Sequence, residues 1–251
     1  MQAFTDFAMQ LAYPPNPVRK LDDSLTPVQQ AGFELFVNGV QRANGNLEVC
    51  VTCHALDPAA GVFGTDGTMA FNDQPGEKDF KIPHFRDQYQ KVGMFTSNLG
   101  FKLPQVRGFA MNHNGATSIN NLFAEFGVPT DRTEALKQYL FAFPSESAPV
   151  MGQQLTVDQA RFSGREARLD LLLDQAAVTL PFPGCDLVVH GVDTGGPRGW
   201  AFDRAAAVFR PDNSSAGLDR TQMKAMLRDS RSPHTLTCAP WGSGQIGRAH
   251  V

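Results

Sequence analysis

The chain has 251 residues, enough for one large domain or two small ones. Its 22 basic and 25 acidic side chains give a formal net charge of -3 with no basic run, which excludes an electrostatic nucleic-acid binder. No stretch approaches the length of a membrane-spanning helix, and the 23 Gly and 17 Pro suit a loop-rich fold built around a large apolar cofactor.

Residues 1–24 hold a short apolar, helix-prone piece (Phe4, Phe7, Ala8, Leu11) closed by Tyr13-Pro14-Pro15-Asn16-Pro17. This start has neither a basic region nor an apolar core, so it does not read as an export signal. Leu25-Thr26-Pro27 opens a helix, with Thr26 as its cap and Gln30 as the candidate partner in a capping box. Val28, Gly32, Leu35 and Phe36 form its inner face, and Asn38-Gly39 stops it.

Cys50-Val51-Thr52-Cys53-His54 is the chemical centre of the sequence. Two thiols separated by two residues can reach the two vinyl groups of one porphyrin, and the following histidine then supplies the proximal nitrogen to iron. A zinc site would need a second pair of ligands, yet Cys185 and Cys238 stand far apart. A thioredoxin-like pair would need a βαβ setting, whereas Pro, Gly and helical signals surround this motif. One covalent haem c, held by Cys50, Cys53 and His54, is the expectation. Because this attachment takes place outside the cytoplasm, the chain is expected to be a piece of a longer exported, periplasmic protein. Residues 246–251 match a translated sequencing adapter, which removes His250 from any ligand argument.

The sixth ligand decides what the iron can do. A methionine raises the potential and closes the site, whereas an open position admits small molecules. Met94, in the Gly-flanked stretch Lys91-Val92-Gly93-Met94-Phe95, is the first choice. Met111 is its rival, and His84, His113 or an open site complete the alternatives, while Met69 sits in a polar glycine loop and is discounted. Arg86 can pair with a haem propionate through a bidentate charged contact. Residues 55–80 read as a Gly- and Asp-rich loop. Helices are expected from near position 118 (Ile119, Leu122, Phe123, Phe126) and from Thr133 to about Phe143.

A helix carrying Gly32 and Phe36, then CxxCH, then Leu136-Lys137-Gln138-Tyr139-Leu140 resembles the cytochrome c domain. The resemblance implies contact between the helices around Gly32 and Tyr139. Lys81-Ile82-Pro83-His84-Phe85-Arg86, followed by Val106-Arg107-Gly108-Phe109 and His113-Asn114-Gly115, resembles the bacterial di-haem cytochrome c peroxidase relatives over residues 25–155. Only one CxxCH is present, and Asp87 and Asn114 stand where that family has Asn and Asp. Those peroxidases need a second haem, so peroxidase activity does not carry over. The whole chain looks similar to the C-terminal portion of large bacterial cytochrome proteins.

Beyond residue 153 the character changes. Thr156 can cap a helix through Val157 to Ala177 with Leu169, Leu172 and Leu173 inward. Strand-like pieces follow at Cys185–Val189, Gly199–Phe202 and Thr235–Cys238, with a short helix over Leu218–Leu227. Cys185 and Cys238 are the remaining thiols and can pair in an oxidising compartment. His190 and His234 lack nearby ligand partners in the sequence.

The sequence therefore predicts a mainly α fold: a linker (1–24), a cytochrome c-like haem domain (25–152), a small α+β unit (153–245) and a non-native tail (246–251). The predicted function is electron transfer through one haem with His54/Met94 ligation, serving a redox partner protein or another domain of a longer parent. A haem enzyme or sensor with an open distal site is the alternative.

Overall fold

The computed structural model describes residues 2–8, 11–42, 44–70, 80–91, 123–124, 127–179, 181–193, 196–213 and 215–243. The chain divides into two units, Met1–Lys20 with Ser24–Glu146, and Leu21–Asp23 with Ser147–Val251.

In the first unit, helix α1 (Gln2–Ala8) leaves Phe4 and Phe7 exposed. Helix α2 (Pro27–Asn38) starts at Thr26, whose hydroxyl accepts the Gln29 amide at 3.3 Å. The Gln29 side chain accepts the Thr26 amide in return at 2.9 Å. The box closes on Gln29 rather than Gln30 because Pro27 is the first helical residue, which puts Gln29 in the third. Gly39, at φ 94°, ends the helix and donates to the Leu35 carbonyl. Of the expected inner face, Gly32 and Phe36 are buried, whereas Val28 faces outward and buried Gln29 takes its place.

Helix α3 (Thr130–Phe141) begins three residues before the expected Thr133. The Thr133 hydroxyl bonds back to the Pro129 carbonyl instead of capping forward. At its far end, Asn16 donates to the Phe141 and Phe143 carbonyls, both at 2.9 Å, and Arg19 to that of Ala142. The N-terminal segment thus satisfies carbonyls that a helix end leaves over. The close approach expected at Gly32 is present: a Cβ there would meet the Ala135 carbonyl and lie 2.7 Å from Tyr139 Cβ. Phe36, Leu136, Tyr139 and Phe143 fill the core behind it. The helix expected near position 118 falls almost wholly outside the described residues.

Three short hairpins complete this unit: β1 (Val40–Gln41) with β2 (Leu47–Glu48), β3 (Leu56–Asp57) with β4 (Val62–Phe63), and β5 (Met69–Ala70) with β6 (Phe80–Lys81). The stretch read as a plain Gly/Asp loop therefore carries paired backbone.

The second unit is a five-stranded antiparallel sheet in the order β10-β9-β8-β11-β7. Its strands are β7 (Gln154–Val157), β8 (Asp186–Asp193), β9 (Gly196–Asp203), β10 (Val208–Pro211) and β11 (His234–Ala239). Alternation puts Leu155, Val157, Leu187, Val189, Trp200, Phe209, Leu236 and Cys238 into one core. Two helices bury their apolar sides in it, α4 (Phe162–Ala177) through Leu169, Leu172 and Leu173, and α5 (Arg220–Asp229) through Met223 and Leu227. Outside that seam, Lys224 bonds Glu166 and Asp170 at 2.9 Å, and Arg220 bonds Asp170 at 3.0 Å and Asp174. Each edge strand has one outward backbone position engaged. Arg165 of α4 bonds the Thr156 carbonyl of β7, and Leu218 bridges Phe209 of β10.

Two expectations are corrected. The helix opening at Thr156 is instead β7: Gln154-Leu155-Thr156-Val157 alternates polar and apolar, pairs with β11, and turns at Asp158 before α4 begins. The mainly α class is also overturned. Of the described residues about 36% are helix and 21% strand, so the fold is mixed α/β with a five-stranded sheet. The apparent short strands lengthened because cross-strand partners extend them past their Gly and Pro punctuation, to eight residues in β8 and β9. The expected pairing of Cys185 with Cys238 is found, with Cα atoms 5.3 Å apart.

Candidate functional site

The β1–β2 hairpin, with Arg42 paired to Glu48, delivers the chain into a short 3-10 turn over Cys50–Thr52. The Cys50 carbonyl accepts two successive amides, from Cys53 at 3.2 Å and from His54 at 2.9 Å. Both thiols and the imidazole therefore sit on one tight loop. Neither Cys50 nor Cys53 is in a disulfide; the first is half-buried and the second exposed. Burial, followed by the Glu48 charge, pushes the Cys50 thiol up to about 11.

His54 is held from two sides. Its Nδ1 lies 3.0 Å from the Gly64 carbonyl. A carbonyl oxygen only accepts, so Nδ1 carries the hydrogen and, in the neutral ring, Nε2 carries the lone pair. The Phe85 ring lies on the imidazole, with centroids 4.0 Å apart and planes 25° from parallel. The β3–β4 hairpin brings Gly64 into place, its amide bonded to the Ala55 carbonyl at 2.8 Å. Gly64 has φ 89°, and a Cβ there would lie 2.8 Å from the Phe85 nitrogen, so glycine is required. Phe85 in turn donates to the Phe63 carbonyl and meets Phe143 and Phe36 edge-on at 5.4 and 6.1 Å.

The polar residues next to Phe85 form a separate knot. His84 Nε2 and the Tyr13 hydroxyl are 2.7 Å apart. Arg86 pairs with Glu146 at 2.8 Å and lies over the Phe63 ring at 4.6 Å and the Tyr13 ring at 5.2 Å.

The structure thus sets Cys50, Cys53 and His54 on one short turn and places Arg86 one residue beyond the ring that stacks on His54. Met94, Met111 and His113 lie outside the described residues. Met69 is in β5 and 55% exposed. His190 is part of β8, and His234 is buried at the start of β11, its Nδ1 bonded to the Ser232 carbonyl at 3.0 Å. Gly64 and Phe85 were not anticipated. Gly64 stands in a loop rich in glycines, and Phe85 had no periodic pattern to mark it.

No family model matches this chain, and neither the curated proteins nor the solved structures yield a match. The resemblance to cytochrome c domains and di-haem peroxidase relatives is corrected accordingly. Besides the missing match, the five-stranded sheet departs from a mainly helical haem fold, and among the described residues no group of three or more His, Cys, Asp or Glu side chains gathers around a common point. The matching residues were short and local. Where described, Pro83 to Arg86 serve the Tyr13–Glu146 knot and the Phe85 contact.

Proposed function

We propose that Cys50, Cys53 and His54 hold one covalently attached haem c and that the chain passes single electrons through it. The observation that carries this reading is the Nδ1–H of His54 given to the Gly64 carbonyl. With Nδ1 bonded, Nε2 would be the nitrogen that meets iron, and the bond orients the ring as a backbone acceptor does for a ligating histidine. The raised Cys50 thiol supports the same reading over a redox-active pair. A group that stays protonated at neutral pH is a poor thiolate for exchange or for zinc, whereas a thioether needs no ionised sulfur at rest.

Haem would supply a one-electron Fe(III)/Fe(II) couple. The chain's own residues hold the imidazole in orientation through Gly64 and the stacked Phe85 ring, which Phe36 and Phe143 back in turn. Met94 is the proposed distal ligand, on sequence grounds alone, and Arg86 the proposed propionate contact, with Glu146 as its partner in this structure. The Cys185–Cys238 disulfide fits an oxidising compartment, and we place the protein in the periplasm with another redox protein or domain as partner. Among the described residues no helix is long and apolar enough to cross a membrane.

Coexpression with haem-attachment machinery in a periplasm is the test. Haem that resists acid–acetone extraction from the wild type and is lost from Cys50→Ala and Cys53→Ala supports the reading. Pigment that extracts freely overturns it.

A further inference from the structure

The residues after Phe85 place two carboxylates against one cation. Asp87 is 8% exposed and adopts φ 57°, and its Oδ1 is buried without a hydrogen-bond partner. Glu146, the second carboxylate, pairs with Arg86 through one oxygen and takes the Tyr13 amide on the other at 3.3 Å. Among the described residues, the charged and titratable groups that act on Asp87 are Glu146, Tyr89 and Arg86. A single guanidinium cannot neutralise both carboxylates, and a buried uncompensated carboxylate relieves its cost by taking a proton. Burial, and after it the Glu146 charge, hold the Asp87 carboxyl above its usual range, against opposing contributions from Tyr89 and Arg86.

Asp87 lies two residues from Phe85, whose ring covers His54. We infer that Asp87 is a proton-binding site coupled to the redox state of the centre at His54, which makes the chain a carrier of one electron together with one proton. The inference rests on the haem reading above. On one-electron reduction of a haem held at His54 by an external donor, one proton from solvent would form an O–H bond on Asp87, leaving the charge of the unit unchanged. The oxidised centre, more positive, favours the Asp87 carboxylate; the reduced centre favours the acid.

The test is mediated redox potentiometry of the haem-loaded full chain across pH. The wild-type potential should fall with rising pH through one sloping window, by about 59 mV for each tenfold difference in proton affinity between the two redox states. Asp87→Asn should flatten that window. Asparagine tolerates positive φ, so the backbone conformation is retained. Glu146→Gln removes the repelling charge and keeps an acceptor for the Tyr13 amide, so the window should move to lower pH. A wild-type potential that does not vary, or a slope that survives Asp87→Asn, overturns the inference while the haem reading stands. Failure of the wild type to hold covalent pigment overturns both.

Discussion

The Nδ1 of His54 and the carbonyl of Gly64 lie 3.0 Å apart and ten residues apart in sequence, so one hydrogen bond closes the loop from the CxxCH turn to the end of β4. Gly64 accepts that bond from a left-handed backbone conformation, at φ 89°. The orientation of the proposed ligand thus depends on a residue with no side chain.

Gly64→Ala should therefore act at two places. The left-handed conformation costs about 1–2 kcal/mol with a side chain, and the new Cβ would lie 2.8 Å from the Phe85 nitrogen. Lower thermal stability together with reduced haem content is the expected outcome, measured by melting and by pigment per protein. Unchanged haem content would show that His54 does not need this acceptor.

Gly32→Ala should separate α2 from α3, since the added carbon meets the Ala135 carbonyl and approaches Tyr139 Cβ at 2.7 Å. Overpacking of this kind costs about 1–3 kcal/mol, and Gly32→Leu should cost more. Denaturant melts of the two variants give the order.

Reducing the Cys185–Cys238 bond, which closes 53 residues of chain, should cost the second unit about 2–5 kcal/mol. Melting with and without reductant measures it. Cys185→Ser/Cys238→Ser should melt like the reduced protein and be indifferent to reductant.

Asp170 sits between Lys224 and Arg220, and hydrogen bonds from Lys224 and then Arg220 hold its carboxyl below the usual range. A depressed carboxylate adds stability that is complete above its unfolded pKa of about 3.9 and is lost as pH falls through the lower folded value. Lys224→Met should weaken that acid-side loss, and salt should do the same in the wild type. The effect of such a surface pair is small, about 0.5 kcal/mol. Stability measured from pH 2 to 6 checks it.

On the proposed His54/Met94 ligation, Met94→Ala should abolish the near-infrared band of methionine ligation, lower the potential and open the iron to cyanide or carbon monoxide. Met111→Ala should leave all three nearly unchanged. The reverse result keeps the carrier with a different methionine, and no effect from either hands the site to the enzyme-or-sensor alternative.

What the sequence revealed followed the range of each interaction. The Cys50–His54 turn, the Thr26 cap and the Gly39 stop are contained within a few residues, so spacing alone exposes them. Cys185 and Cys238 emerged as the thiols left over. Tyr13 reaches His84 across 71 residues and Glu146 across 133, and no local pattern records such partners. Thr156 misled because a threonine before a run of apolar residues resembles a helix cap. Pairing with Thr235 on β11 decided for strand instead, with the two hydroxyls 2.9 Å apart. The mainly α reading failed for the same reason, since a sheet is made of pairings between distant segments and a helix of bonds four residues apart.

The engaged edge positions of the sheet bear on how molecules can meet. A strand approaching from a second protein would find the Thr156 carbonyl of β7 taken by Arg165, and β10 bridged by Leu218. Open strand edges are where chains add to one another and aggregate. A strand pairing along the full length of either edge would have to displace Arg165 from β7 or Leu218 from β10, so each edge carries a side chain or loop that must move before main chain can add to it.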